Sequence, residues 1–376
     1  MKFSAKDDVH LTVVREQLDA SPSNPALRGD PYVRPPAVGP TVADLGEHLL
    51  IERIRARVPP APTFVPVAIG DDAAVIEPER NALEVVTTDC LVEGVHFDRA
   101  LAGAADIGYK ALAVNLSDLA AMGATPRVAL LSLALPDAWP VADFDAFLDG
   151  LLSLAAEVRM ALVGGNIARS PGPLVVDLVA IGSVKPRRVL TRAGARPGDE
   201  LYVSGRLGAA AAGLASLRAS RVDPMTARTP DCEARHLRPE PRLRLGVLLG
   251  RTRTARACLD LSDGLADGVR QIARASGVGA VIEADDLPID PDARAWFDRH
   301  GGSALEAALS GGEDYELLFA VSPKNRRLLA SVQRLLPNLP ITRVGRVMNS
   351  PRIELRRDGR TGELPPGFAH FSGESR

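Results

Sequence analysis

Five short segments set a carboxylate beside a hydroxyl, an amide or a glycine. They are Gly70-Asp71-Asp72, Thr87-Thr88-Asp89, Asn115-Leu116-Ser117-Asp118, Asp260-Leu261-Ser262-Asp263-Gly264 and Gly311-Gly312-Glu313-Asp314. Hard oxygen ligands on a permissive backbone are what Mg²⁺ prefers. Each segment alone has an ordinary explanation: a turn, a polar strand end, a solvated helix face, a helix cap or a loop charge. Facing one cavity, the same acids would repel one another unless cations lay between them. Magnesium in enzymes commonly bridges carboxylates and substrate phosphates, so the chemistry these residues suggest is phosphoryl transfer.

The usual nucleotide-binding motifs are missing. There is no GxxxxGK(S/T) loop, since no lysine follows a glycine, and neither the kinase HRD and DFG pair nor a GxGxxG turn occurs. A nucleoside triphosphate would have to be held by metals, arginines and glycine backbone. Gly164-Gly165-Asn166 reads as a turn where a phosphate could approach the main chain.

The elements that must carry these groups follow from periodicity. Thr41 to Asp44 has the form of a capping box, with Leu45, Leu49 and Ile54 as the apolar stripe of the helix it opens. Leu83 to Thr88 reads as a strand running into Asp89. Tyr109, Leu112, Leu116 and Leu119 define an amphipathic helix over 106–122, with Asn115 and Asp118 off its buried stripe. Strands are expected over 128–135, 174–184, 201–204, 258–260 and 315–321, and a helix with Leu265, Val269 and Ile272 inward stops at Gly277. Residues 219–240, charged and dotted with proline, read as a surface connection. Helices and strands mix without a strict βα rhythm, which favours α+β over a doubly wound sheet.

Length and composition set the frame. The 376 residues allow two domains, and Arg196-Pro197-Gly198-Asp199 is the expected boundary between 44–195 and 196–376. Residues 1–43 are proline-rich, with few large apolar side chains, and read as a mobile leader. A hydrophobic share of 46% against 24% charged excludes wholesale disorder, and 45 basic against 47 acidic residues argue against nucleic-acid binding through bulk charge. Only five basic residues are lysines, one of them Lys110. Three cysteines without a CxxC pair point to a reducing cytoplasm. Asp7 and Asp8 spoil a signal sequence, and no apolar run is long enough to span a bilayer.

Taken in order, the segments resemble the thiamine-monophosphate kinases. This family belongs to the superfamily that includes aminoimidazole ribonucleotide synthetase and selenide, water dikinase. The resemblance rests on Gly70–Ala74, Thr87–Asp89 through Gly94-Val95-His96-Phe97, Asn115–Ala124, Gly164–Asn166, Leu190-Thr191-Arg192, Asp260–Leu265 and Ser310–Leu317, and covers about residues 44–371. It implies a two-domain α+β fold with mixed sheets and flanking helices, paired through its N-terminal domains in a homodimer. It also implies transfer of the γ-phosphoryl group of ATP onto thiamine monophosphate with several Mg²⁺ ions. Carried over by position, Asp71, Thr87, Thr88, Asp89, Asp118, Asn166, Asp260 and Asp263 become metal ligands, with Asp118, Asp89 and Asp263 closest to the chemistry. Gly165, Asn166, Arg192 and Ser262 become ATP contacts. His96 and Glu313 become contacts to the thiamine substrate, and Phe368 or Phe371 the aromatic partner of its rings.

One departure stands out. The third motif of the family is normally Gly-Gly-Asp, whereas Asn166 brings an amide without charge, so a raised Mg²⁺ requirement is expected. A selenide dikinase would want a reactive cysteine in a glycine-rich leader, which residues 1–43 lack. A purine-pathway synthetase, a nucleotide-binding protein with impaired turnover and a structural cation-binding protein remain as alternatives; Gly-Gly-Glu-Asp-Tyr-Glu-Leu favours the thiamine enzyme.

Overall fold

The computed structural model describes residues 39–367. The leader up to residue 38, Phe368 and Phe371 lie outside the described residues.

The first half runs α1 (Val42–Arg57), β1 (Leu83–Val92), α2 (Ala104–Ala121), β2 (Thr125–Pro136), α3 (Val141–Glu157), β3 (Ala161–Ser170) and β4 (Val175–Val184). Its sheet has the order β1-β4-β2-β3, with only the β2–β3 pair parallel. One face packs on α2 and α3, where Leu116, Leu119, Phe144, Phe147, Leu148 and Leu151 meet Leu131, Leu133 and Leu178 in one core. Segment 64–76 covers part of the other face, laying Val65 and Ile76 against Val128 and Val163. Thr41 caps α1 as expected, its N–H and hydroxyl both donating to Asp44 at 2.8 Å. Of the expected stripe on α1, Leu45 and Ile54 pack on the core of this half, while Gly46 at φ 72° kinks the helix, and Leu50 is buried where Leu49 is exposed.

The second half runs β5 (Glu200–Ser204), α4 (Ala209–Val222), α5 (Pro230–Leu237), α6 (Leu243–Thr252), β6 (Ala255–Asp260), α7 (Leu265–Ser276), β7 (Gly279–Glu283), α8 (Pro291–His300), α9 (Ala304–Ser310), β8 (Leu317–Val321), α10 (Arg326–Arg334), β9 (Ile341–Met348), β10 (Ile353–Arg357) and β11 (Arg360–Glu363). Its seven strands lie in the order β11-β10-β7-β9-β5-β8-β6, mixed in direction like the first sheet. Two sheets with flanking helices make the α+β class. Leu265, Val269 and Ile272 of α7 face one side of the second sheet, and Leu245, Leu249 and Val332 face the other.

The halves meet along α2. Ala120 and Ala121 join Leu190, Leu245 and Leu249 in one apolar cluster that crosses the junction. A helix covered by its own sheet on one side and the second half on the other has little polar face left. Asn115 and Ser117 are fully buried and Lys110 is 3% exposed, so the expected solvated side of this helix is instead the seam between the halves. Among the described residues no helix is long and apolar enough to cross a membrane.

Candidate active site

The acids gather around α2. Asp118 and Ser117, adjacent on the helix, reach different halves: Thr87 of β1 donates its hydroxyl to Asp118, while Ser117 donates to Asp260 at the end of β6, at 2.7 Å. Asp263 follows in the β6–α7 turn, where the Ser262 hydroxyl donates to it at 2.9 Å. Asp89 lies on β1 two residues beyond Thr87 and so shares its face of the sheet. The strand does not end there, as the sequence suggests, but continues to Val92.

These four carboxylates feel one another. Burial first, then the charges of Asp118, Asp177 and Asp263, push Asp89 up to about 6. Burial and the Asp118 charge push Asp260 up to about 7, against the Ser117 bond, with Asp89 adding to the rise. Burial also raises Asp118, opposed by the Thr87 bond and the charge of Arg192. Tyr315, 8% exposed, is raised by burial and then by the charges of Glu313, Asp89, Asp260 and Asp263. The group is rich in hard oxygens and short of positive charge, and that donor set fits divalent cations. No three or more His, Cys, Asp or Glu side chains among the described residues form a ready-made cage for one ion. Such a cage is not needed for Mg²⁺, which takes one or two carboxylates and completes its shell with water and substrate phosphate.

The sheet separates the remaining candidates. Thr88, between Thr87 and Asp89, points to the opposite, exposed face and donates to Asp177 of β4 at 2.9 Å. Asn166 is on that face too, in register with Ser132 of β2, which in turn pairs with Asp177. Thr88 and Asn166 therefore stand with Asp177, and their side chains are turned away from the Thr87–Asp89–Asp118 group. Gly164-Gly165-Asn166 is not a turn but the middle of β3. Gly165 is required by packing, because a Cβ there would lie 1.8 Å from the Leu131 carbonyl oxygen. Asp71 occupies an exposed turn, accepting the Asp72 N–H at 2.9 Å, with the Arg55 guanidinium against Gly70. Among the described residues no hydrogen bond draws it into the acid group.

His96 sits in the turn after β1, where its Nδ1 accepts the Val92 N–H at 3.0 Å. Glu313 is held by two bases. Lys110 Nζ is 2.6 Å from Oε1, and His236 Nδ1 is 3.2 Å from Oε2, although neither has the angles of a well-formed hydrogen bond. Burial would raise Glu313, but the Lys110 charge and the His236 contact prevail and hold it down at about 2. Further along, Asp314 accepts the N–H groups of Gly208 and Ala210 at the start of α4, at 2.8 and 3.3 Å. Glu316, fully buried, accepts from Ser204, Arg235 and Arg242 at 2.5–2.7 Å. Arg235 and His236 come from α5, inside the 219–240 stretch expected to be a surface connection, and Arg242 stands just beyond it at the start of α6. These charges are turned inward because Glu313 and Glu316 wait there.

Comparison with known proteins supplies the family. Residues 70–184 match the N-terminal domain of AIR synthase related proteins, and residues 196–358 match the C-terminal domain. The thiamine-monophosphate kinase of Escherichia coli strain K12 is 42% identical over 336 residues, 87% of this chain and 98% of that protein. The one from Synechococcus elongatus is 38% identical over 341 residues, 88% of this chain and 98% of its own. The chain belongs to the thiamine-monophosphate kinase family. Among solved structures of that family, the enzyme of Stenotrophomonas maltophilia K279a superposes with a TM-score of 0.73 at 41% identity, covering 84% of this chain and 96% of the other. AaThiL complexed with AMPPCP and TMP gives 0.68 at 32% identity, with coverage of 89% and 100%. The E. coli hydrogenase maturation protein HypE, 20% identical with a TM-score of 0.65 over 85% of this chain and 95% of its own, shares the fold.

Proposed function

We propose that the chain transfers the γ-phosphoryl group of ATP directly to the phosphate of thiamine monophosphate, giving thiamine diphosphate. Family membership supports the reaction. The observation that carries the mechanism is the convergence of Asp89 and Asp118 from one half with Asp260 and Asp263 from the other. Those four would hold Mg²⁺, which when bound screens the charge between two polyanionic reactants. The chain's own work is positioning. Thr87 and Ser117 fix the orientation of Asp118 and Asp260 by donating to them, so the carboxylates do not reorganise as charge develops. The acceptor phosphate is already ionised, so no strong general base is required. Arg192, whose charge acts on Asp118, and Ser262, which donates to Asp263, would meet the nucleotide phosphates. The outer row of Thr88, Asp177 and Asn166 belongs to a separate face of the sheet.

A coupled assay supplying ATP, Mg²⁺ and thiamine monophosphate tests this reading. ADP should form in proportion to the acceptor. A purine-pathway synthetase would ignore that acceptor, and a protein without turnover would release no ADP; either result refutes the proposal.

A further inference from the structure

A second charged cleft lies at the junction of the two halves, apart from the acids. Its walls are Asn81 before β1, Lys185, Arg187 and Arg188 in the connection after β4, and Arg251 and Arg253 at the end of α6, around a space of about 520 Å³. It opens at the start of β1, roughly 20 Å along that strand from Asp89.

Five of these six residues are basic. Lys185 has an acidic partner, Glu79 at 2.8 Å, and also donates to the Arg80 carbonyl at 2.9 Å. The side chains of Arg187, Arg188, Arg251 and Arg253 are exposed, and among the described residues they have neither a hydrogen-bond acceptor nor an ion-pair partner. The dipole of α6 accounts for Arg251 in its last turn, but not for the three that join it. Four like charges around one concavity repel one another, and a concave wall concentrates their field.

The backbone that carries them is fixed. Residues 186–188 form one 3₁₀ turn, closed by the Arg188 N–H donating to the Lys185 carbonyl at 2.8 Å. The Arg188 carbonyl packs so tightly on α6 that a Cβ at Gly250 would stand 2.3 Å from it. Arg253 ends α6 in the left-handed conformation, at φ 54°, and its carbonyl accepts from the Asn325 side chain at 3.3 Å. Arginines on a fixed frame are preorganised donors, and the guanidinium fork matches phosphate oxygens two at a time.

We infer that this cleft binds a linked di- or triphosphate group, separately from the reacting centre and without a metal. Its volume suits a small molecule. No aromatic side chain lines it, so recognition falls on the phosphates and not on a base or a thiazole ring. A nucleic-acid strand would want stacking platforms along a basic groove, and the cleft provides none.

Binding here does not depend on the phosphoryl-transfer reading, so the test needs no turnover. The full chain is titrated calorimetrically with tripolyphosphate, pyrophosphate, ADP and thiamine diphosphate, each in EDTA. Without divalent ions the carboxylates of the proposed reaction repel these anions, whereas the arginines still attract them. Tripolyphosphate should bind the wild-type chain, and Arg187→Gln and Arg251→Gln should each weaken it roughly ten-fold, the double variant more. Asp118→Asn should bind as wild type, and so should Arg294→Gln, which removes an exposed arginine of α8. Equal affinity for the three diphosphates assigns the site to the phosphates alone; tighter binding of ADP or thiamine diphosphate names that diphosphate as the occupant. Arg188→Gln and Arg253→Gln replace either variant that does not fold by circular dichroism. No binding by the wild-type chain, or binding unchanged in the folded double variant, would overturn the inference. So would a single-stranded oligonucleotide that binds more tightly than tripolyphosphate through the same arginines, which would make the cleft part of a nucleic-acid surface.

Discussion

The Glu313 carboxylate shows how far one side chain depends on groups distant in sequence. Its own surroundings, a pair of glycines and Asp314, look like an ordinary loop, and nothing local announces that Lys110 and His236 will close on it. The contact gives a signed pH dependence. Glu313 is held at about 2, below its ordinary 4.5, so the contribution of the ion pair is complete above the ordinary value and is lost as pH falls through about 2. The Tm difference between the wild-type chain and Lys110→Met should therefore be widest near pH 6 and shrink by roughly half by pH 3. A difference that stays constant over that range would contradict the pairing. Asn166 makes a second residue-scale test. Since it shares a face with Asp177 and Thr88, turned away from the four acids, Asn166→Asp should leave half-saturating Mg²⁺ within about two-fold of wild type, against the raised requirement expected from the sequence. A fall of several-fold in the titration would return position 166 to the metal set.

At the scale of elements, residue types and their order were legible and orientation was less so. The strands, the long helix and the acid-bearing turns stand close to where periodicity puts them, because apolar spacing is a local signal. What periodicity misses is a second layer. Helix α2 reads as amphipathic, but a helix packed on both sides buries its polar residues as well, and Asn115 and Ser117 are enclosed. Alternation along β1 splits Thr87 and Asp89 from Thr88, a consequence of the two-residue period once the strand is known to continue past Asp89. Asp177 escaped notice because it sits alone in the apolar strand Val175–Val184, with its partner Thr88 on another strand. Gly165 looks like a phosphate turn from its neighbours and is instead a packing glycine. Gly165→Ala should destabilise the fold by about 1–3 kcal/mol in urea unfolding, because the neighbouring strand must shift to admit the methyl group. No loss of stability would return that residue to a purely ligand-facing role.

In the whole molecule, two sheets and two cores are joined by a seam in which apolar contacts and charged contacts have different tasks. Ala120, Ala121 and Leu190 bind the halves, while Ser117–Asp260, Lys110–Glu313 and Arg238–Asp106 align them. In the proposed reaction the acids come from both sides of that seam, so neither half alone would hold a complete site. Asp118→Asn should leave the unfolding transition near that of wild type, since burial already raises the carboxyl, yet abolish ADP formation. Residual turnover within ten-fold of wild type would remove Asp118 from the chemistry.

The most direct measurement is a crystal structure of the full chain with a non-hydrolysable ATP analogue and Mn²⁺ in place of Mg²⁺, read through the anomalous signal of the metal. The anomalous peaks should lie between the analogue's phosphates and the carboxylates of Asp89, Asp118, Asp260 and Asp263, with both halves represented. Phosphates and metal bound away from the α2 seam, with those four side chains untouched, would contradict the central claim.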